Sequence, residues 1–326
     1  MAKRKPKRKK NRSKKSRKKG TLRISLLKAA AGLATLAILV AGIGITVHYF
    51  IPSKKPTPPI APAKLPPAVK APPELKKPTY EIYPEEKASI EKPVPKPVIP
   101  PRTKLPKVAI IIDDLGYDKK IAEKFLALDA AFTFSILPFS PFQKKIARRA
   151  HDKGLEVMLH LPMEPMEYPA VNPGPGTLLT TMSPDQLISQ LEKNLDTLPF
   201  IKGVNNHMGS KLTTESTQLY QIFSILKKRG LFFVDSRTTA KTLCKPSARM
   251  FKVPFAQRDV FIDHQQQPEF IRQQINKLIE IADRYGVAVG IAHPHVTTYT
   301  ILKALLPDLK EKVQLVPASQ IVQIIG

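Results

Sequence analysis

The 326 residues carry 53 Lys and Arg against 26 Asp and Glu, a formal net charge of +27, and 42% of them are hydrophobic. This length suits one large or two ordinary domains, and the single cysteine, Cys244, excludes an intrachain disulfide framework and a multi-cysteine zinc site. Residues 1–106 contain 26 Lys and Arg with 5 acids, whereas residues 107–326 contain 27 with 21. Because the charge lies mainly in the first third, we expect no nucleic acid as a partner of the remainder.

The first 51 residues predict a basic leader (1–28) followed by a transmembrane anchor (29–51). Residues 1–20 hold 13 Lys and Arg and no acid, which predicts disorder. Residues 29–51 carry no formal charge, and at about 1.5 Å per residue they span the ~30 Å hydrocarbon core. The basic block then favours a cytoplasmic N-terminus in the inner, cytoplasmic membrane. A cleaved signal peptide is the alternative, but its apolar core would be only about 7–15 residues long.

Residues 52–106 predict a linker, because they contain 17 of the 33 prolines. Such a segment has neither the backbone donors nor the apolar periodicity of a folded domain, and it favours an extended, semi-rigid spacer. The alternative is a ligand for a proline-recognition domain. A spacer would hold a domain of residues 107–326 away from the membrane.

Residues 107–326 alternate strand and helix patterns. Apolar runs typical of strands occur at Val108–Ile112, Phe132–Leu137, Leu155–Leu161, Gly203–Val204, Leu231–Val234, Val260–Ile262, Val287–Ile291 and Gln314–Val316. Helical patterns cover Phe142–Lys153, Pro184–Asp196, Leu219–Arg229 and Pro268–Tyr285. Proline at the start of a helix and glycine just past its end recur. Seven or eight β/α units in this length predict an α/β fold that closes into a barrel-like parallel sheet.

The first strand runs directly into two carboxylates, Asp113 and Asp114. Its unbroken Val/Ile run is typical of a strand buried on both faces of a parallel sheet. Parallel α/β folds place their chemistry at the C-terminal ends of the strands. A capping Asp beside a turn Asp is the alternative interpretation of the pair.

Histidines follow several other predicted strands. Five of the seven do so: His160, His207, His264, His293 and His295. Imidazole and carboxylate groups that meet on one face form a ligand set for Zn²⁺ or another first-row divalent ion. The pattern therefore predicts a divalent-metal site with room for a catalytic water.

The motifs of this region resemble, in order, those of the divergent polysaccharide deacetylases, the YibQ-like proteins of the NodB-type carbohydrate esterase superfamily. The motifs are Asp113-Asp114-Leu115-Gly116, His160-Leu161-Pro162-Met163-Glu164-Pro165, Pro173-Gly174-Pro175-Gly176-Thr177-Leu178, Asn205-Asn206-His207-Met208-Gly209-Ser210, Val234-Asp235-Ser236-Arg237 and His293-Pro294-His295. The resemblance covers about residues 105–326. It implies a distorted (β/α)7–8 barrel of the NodB type.

The resemblance also implies roles for individual residues. Asp113 falls on the catalytic base, Asp114 and His160 fall on metal ligands, and His293 falls on the general acid, with His295 as the nearby alternative. Glu164 stands where the family's second ligand histidine is expected, so the third ligand is either Glu164 or, from another strand, His207. The Arg-Pro-Pro motif of the parent family has no counterpart, because Asn205–Ser210 occupies that strand end.

Further residues are expected to support the site or contact the substrate: Glu164, Asn206, Asp235, Arg237 and His295. Arg237 either orients a carboxylate or acetyl group or pairs with Asp235. The long, proline-rich loop from Met163 to Met182 is either a rim over the mouth or a surface turn of the fold.

Two functions follow from these expectations. One is a membrane-anchored, zinc- or other metal-dependent hydrolase that removes acyl groups from amino sugars of a cell-envelope polysaccharide, with peptidoglycan as one candidate. The other is an inactive module of the same fold that binds glycan or acts as a scaffold in the envelope. Convergent titratable groups favour the hydrolase, since a scaffold has no use for them.

Overall fold

The computed structural model describes residues 104–326, which form a curved parallel sheet with helices packed on its outer face. The predictions for residues 1–103, including the leader, the transmembrane anchor and nearly all of the linker, lie outside the described residues. Among the helices of residues 104–326, none is both long enough and apolar enough to cross a membrane.

Strands and helices alternate along residues 104–326. The strands are β1 (Lys107–Leu115), β2 (Thr133–Ile136), β3 (Glu156–Met163), β4 (Ile201–Met208), β5 (Phe232–Asp235), β6 (Phe255–Gln257), β7 (Val260–Phe261), β8 (Val287–Ala292) and β9 (Gln314–Leu315). The helices are α1 (Lys119–Leu126), α2 (Gln143–Asp152), α3 (Pro184–Asp196), α4 (Ser216–Arg229), α5 (Cys244–Phe251), α6 (Pro268–Tyr285) and α7 (Val296–Lys312). The predicted bounds of α3 and α6 are confirmed to the residue.

Local sequence explains why α3 begins and α6 ends where they do. Ser183 accepts a hydrogen bond from the Gln186 N–H, and the Gln186 side chain accepts one from the Ser183 N–H, a capping box with Pro184 in the first turn. Helix α6 also starts on a proline, Pro268, and stops at Gly286, whose φ of 85° requires the left-handed region. These caps orient the helices that support the sheet.

The sheet runs in the order β6-β5-β4-β3-β2-β1-β8-β7, with β9 added beside β1, and all its paired strands are parallel. Its two edge strands, β6 and β7, are consecutive in the chain and separated only by Arg258 and Asp259. Arg258 N–H donates to Asp235 O of β5, and Asp259 N–H donates to Val289 O of β8. The sheet therefore curls into a half-barrel, and the C-terminal ends of its strands surround one mouth. The predicted parallel α/β fold is confirmed, but as a half-barrel rather than a closed (β/α)7–8 barrel.

Side chains along β1 alternate between two cores. Ile110 and Ile112 face the helices, whereas Ala109 and Ile111 face the interior of the half-barrel. The C-terminal segment closes the interior at the N-terminal ends of the strands with Val316, Ala318 and Ile321. Within residues 104–326, the mouth at the C-terminal ends of the strands is the end of the interior that this segment leaves open.

Candidate active site

The two carboxylates at the end of β1 both turn toward the mouth. Asp113 follows Ala109 and Ile111 in the alternation of β1, so its side chain faces the interior of the half-barrel as theirs do. In a regular strand Asp114 would face the helices, but its φ is 54° and the pairing of β1 with β2 shifts register between Ile112 and Leu115. This left-handed conformation is uncommon for a non-glycine residue and is concentrated at functional sites.

Asp114 meets two histidines from neighbouring strands, His160 on β3 and His207 on β4. His160 Nε2 lies 3.1 Å from Asp114 Oδ1, and His207 Nδ1 lies 2.9 Å from the same oxygen. The two ring nitrogens are 3.1 Å apart. All three residues are buried, so three ligand-type atoms converge within one water-poor space.

The spacing of these three atoms fits a metal ion. Ligand atoms that surround Zn²⁺ tetrahedrally at about 2.0–2.1 Å lie about 3.3 Å from one another. Oδ1 of Asp114 faces only the ring nitrogens of His160 and His207 among the described residues, and Oδ2 is buried without a hydrogen-bond partner there. Buried polar atoms without a partner are costly, and a cation bound by Asp114, His160 Nε2 and His207 Nδ1 would lower this cost for the Asp114 carboxylate. Nitrogen and oxygen ligands suit Zn²⁺ and other first-row divalent ions.

The neighbouring carboxylates have different electrostatic environments. Burial raises the pKa of Asp113, and the positive charges of His160 and His293 only partly offset this rise. Burial acts in the same direction on Asp114, but the adjacent imidazoles of His207 and His160 hold the pKa of that carboxyl well below its usual range. Asp114 therefore stays anionic, and Asp113 is the carboxylate better able to accept a proton.

Asn205 on β4 contacts both Asp113 and His160. Its Nδ2 donates to both carboxylate oxygens of Asp113, each at 2.9 Å. Its Oδ1 lies 3.0 Å from His160 Nδ1 and also accepts a hydrogen bond from Ser135 Oγ. The same side chain thus links the carboxylate of Asp113 to the imidazole of His160.

His293, at the end of β8, faces the carboxylates from the other side of the mouth. Its Nδ1 lies 2.8 Å from Asp263 Oδ1, and its Nε2 lies 4.0 Å from Asp114 Oδ2. Burial alone would lower the pKa of His293, but the charge and hydrogen bond of Asp263, together with Asp114 and Asp113, raise it to about 9. The proton on Nε2 is available to a group bound in the mouth.

Both carboxylate oxygens of Asp263 already have hydrogen-bond partners. Oδ2 accepts from the His293 N–H at 2.7 Å and from Thr298 Oγ at 2.7 Å, while Oδ1 faces His293 Nδ1. Asp263, His293 and His295 lie close enough to hold an ion, but an ion there would have to displace these bonds. The satisfied Asp263 therefore orients His293, and the cluster of Asp114, His160 and His207 is the better metal site.

The structure places Glu164 away from the ligand cluster. Its oxygens accept from Lys211 Nζ at 2.7 Å and from the N–H and hydroxyl of Thr180. Its backbone bonds to Leu178 and Leu212. Glu164 fastens the loop after β3 to the segment after β4, whereas His207 stands beside Asp114.

Asp235 and Arg237 also lie outside the pocket. Phe232 and Val234 of β5 face the interior, so Asp235 faces outward. Its carboxylate oxygens accept hydrogen bonds from the Arg237 N–H and from the Thr242 hydroxyl. Arg237 has a left-handed φ of 50°. The hydrogen bond from the Arg237 N–H to Asp235 shapes the turn after β5. The predicted side-chain ion pair of Arg237 with Asp235 stays a prediction.

The pocket of about 140 Å³ is lined by Asp113, Asp114, His160, Asn206, His207, Met208, Ser236, Thr238, Phe261, Asp263, His264, Gln266, His293 and His295. Asn206 and His295 thus border the mouth, although the Asn206 amide is bonded to Ser236 N–H and Met208 O. No residue of the loop 164–182 is among these lining residues.

Sequence reasoning passed over Asn205 and Asp263 as site residues. The alternation of side chains along β4 was a usable signal for Asn205. Val204 packs on the helices, so Gly203, Asn205 and His207 all face the interior. Asp263 lies two residues beyond β7, a strand of only two residues, so its orientation had no periodic signal.

The sequence profile of the divergent polysaccharide deacetylases matches residues 110–322. The chain belongs to this family. The match spans β1 to the C-terminal segment that closes the half-barrel, so it includes every residue of the pocket.

Two proteins are similar to the chain in sequence, and a crystal structure is similar to it in fold. The uncharacterized protein YibQ of Escherichia coli K12 is 34% identical over 215 residues, 66% of this chain and 67% of that protein. An uncharacterized protein of Haemophilus influenzae is 31% identical over 210 residues, 64% of this chain and 74% of that protein. The crystal structure of the uncharacterized protein ATU2773 from Agrobacterium tumefaciens C58 superposes with a TM-score of 0.65 at 26% identity, covering 67% of this chain and 90% of that one.

Proposed function

We propose that the domain is a divalent-metal-dependent hydrolase that removes acyl groups, such as acetyl, from amino sugars of a cell-envelope polysaccharide. The observation that carries the proposal is the cluster of Asp114, His160 and His207, whose facing atoms lie 2.9–3.1 Å apart. Membership of the divergent polysaccharide deacetylases supports the substrate class.

The chain's own residues can divide the reaction between them. A divalent ion held by Asp114, His160 and His207 would polarise the amide carbonyl and lower the pKa of water, and Zn²⁺ is the best candidate. Asp113 accepts the proton of the attacking water, since its pKa is raised and Asn205 fixes its carboxylate. His293, held by Asp263, donates its Nε2 proton to the departing amine.

The site also favours the positive charge of the amine product. Asp113, Asp114 and Asp263 line the pocket, and no Lys or Arg is among its described lining residues. A carboxylate-rich wall stabilises an amino group as it becomes positively charged. Release of an amino sugar agrees with this environment.

We also propose that residues 29–51 anchor the chain in the inner membrane, with the N-terminus in the cytoplasm and the domain outside. The uncharged length and the flanking basic block support this topology. The mature N-terminus should map before residue 29. A mature chain that starts beyond residue 51 would refute the anchor.

Acetate release from N-acetylated chitooligosaccharides and from isolated peptidoglycan tests the hydrolase. The metal-loaded full-length chain should release acetate, whereas Asp113→Asn should keep its metal and lose activity by about 10²–10⁴-fold, the usual contribution of a general base. A wild-type protein that holds metal and binds these glycans without releasing acetate would instead establish the inactive glycan-binding module.

A further inference from the structure

Asn205 lies at the centre of the site, although it is not among the residues that line the pocket. It is fully buried on β4, and its partner in the pairing of β3 with β4 is His160. Its inward alternation places the side-chain amide between Asp113 and His160, which come from two non-adjacent strands.

The amide can have only one orientation when Asp113 is ionised. A carboxylate only accepts hydrogen bonds, so the group that faces Asp113 must be the NH₂. The Nδ2 atom accordingly lies 2.9 Å from both oxygens of Asp113 and 3.3 Å from Ser236 Oγ, so each amide hydrogen has an acceptor. The carbonyl oxygen then points the other way.

The position of that oxygen determines the tautomer of His160. Oδ1 lies 3.0 Å from His160 Nδ1, and an amide oxygen can only accept, so Nδ1 carries the hydrogen. The second ring nitrogen, Nε2, is then free of hydrogen in the neutral ring. Nε2 is the atom that faces Asp114 and His207.

We infer that Asn205 is a positioning residue that orients the base Asp113 and prepares the ligand His160 through opposite ends of a single amide. The inference rests on the proposed function, since it takes Asp113 as the base and His160 as a metal ligand. Few side chains can replace Asn205. Aspartate retains an acceptor for His160 but gives Asp113 a second carboxylate, and alanine removes both contacts.

The two replacements separate the two contacts. In Asn205→Ala, Zn²⁺ affinity of the full-length chain should fall about 10–100-fold, the usual effect of losing the partner of a ligand histidine. In Asn205→Asp, Zn²⁺ affinity should stay within about threefold of wild type, because His160 keeps its acceptor. Acetate release should fall in both variants, since neither presents a neutral donor to Asp113.

A structural role alone would not produce this pattern. Asn194→Ala is the matched control, because Asn194 is equally buried but bonds to Gly176 O and Gln190 outside the site. It should lose stability without losing Zn²⁺ affinity. Ring ¹⁵N shifts of the metal-free chain, recorded at a pH where the His160 ring is neutral, should show hydrogen on Nδ1 in wild type and a mixture of tautomers in Asn205→Ala.

The outcomes distinguish this inference from the proposed function. Unchanged Zn²⁺ affinity and an unchanged His160 tautomer in Asn205→Ala would overturn the role of Asn205 while leaving the hydrolase intact. Equal losses of affinity in Asn205→Asp and Asn205→Ala would also overturn it. A wild-type chain that binds no Zn²⁺ would refute the proposed function. The ¹⁵N measurement would still show whether Asn205 fixes the tautomer of His160.

Discussion

At the scale of the residue, the site depends on adjacent carboxylates that differ in role. Asp113 and Asp114 are neighbours in sequence, but a left-handed φ at Asp114 lets both side chains face the mouth. Asp114 then lies against two imidazoles, whereas Asp113 accepts both of its hydrogen bonds from the neutral Asn205 amide. Burial raises the pKa of both carboxyl groups, but only at Asp114 do the adjacent imidazoles outweigh it, so the two pKa values shift in opposite directions.

The pairing of His293 with Asp263 predicts an unusual titration. In the metal-free chain, His293 should titrate near pH 9, the value to which Asp263 and the other carboxylates raise its pKa. Its protonation should stabilise the fold fully below about pH 6.5, the ordinary pKa of histidine. That stabilisation should disappear as the pH rises through about 9.

Histidine ¹³C and ¹⁵N shifts followed from pH 5 to 10 would measure this pKa. Asp263→Asn should lower the pKa of His293, because it removes the nearest negative charge while keeping an acceptor for Nδ1. An identical titration of His293 in wild type and Asp263→Asn would show that Asp263 does not set the pKa of His293.

At the scale of the element, the turn after β3 shows how a residue can occupy a motif position without its role. Glu164 falls where the family resemblance implies a ligand, but Lys211 and Thr180 occupy its oxygens. We expect Glu164→Gln to bind metal like wild type and to lower the free energy of unfolding by about 1–3 kcal/mol. The glutamine NH₂ would have to face another donor, either the Lys211 ammonium or the Thr180 N–H.

This loss of stability should depend on pH. Burial alone would raise the pKa of Glu164, but its bonds to Lys211 and Thr180 lower it below 4.5. A lowered pKa means that the stabilisation is present above about pH 4.5 and is lost as the pH falls through the folded-state value. Urea denaturation at several pH values should therefore show wild type and Glu164→Gln converging on acidification, and a constant difference would contradict this account.

The strands and most helices could be predicted because their patterns are local. Apolar runs located β1, β3 and β8, and caps at Ser183 and Gly286 fixed helix ends. The three-residue strand β6 and the helix α7, which contains Pro307 and begins with β-branched residues, have no such signal. These elements are held by tertiary packing, which sequence periodicity does not encode.

The third ligand that we propose, His207, could not be assigned without tertiary structure. Glu164 and His207 both lie near the ends of predicted strands, and the sequence alone could not decide which of them is the third ligand. The bonds of Glu164 to Thr180 and Lys211 form only when the loop folds back beside β4. His207 reaches Asp114 because it occupies an inward-facing position next to the C-terminal end of β4.

At the scale of the whole molecule, the half-barrel has a closed end and an open end. Ile321 belongs to the segment that fills the closed end, and it is nearly fully buried. We expect Ile321→Ala to lower the free energy of unfolding by about 2–5 kcal/mol. Ile324→Ala is a matched control in the same segment, since 60% of Ile324 is exposed and its loss should change stability little.

Metal binding should be insensitive to this change, because the ligands lie at the opposite ends of the strands. Urea denaturation and Zn²⁺ titration of the same samples would measure both quantities. Equal stability of the Ile321 and Ile324 variants would contradict the role of the C-terminal segment as the floor of the half-barrel.

The proposed hydrolase requires a metal site formed by Asp114, His160 and His207. The most direct test is the metal content and Zn²⁺ titration of the full-length chain, wild type and single alanine variants. We predict near-stoichiometric binding in wild type and in Glu164→Ala, and loss of binding in Asp114→Ala, His160→Ala and His207→Ala. A wild-type chain without a divalent ion, or a His207→Ala variant that binds Zn²⁺ like wild type, would contradict it.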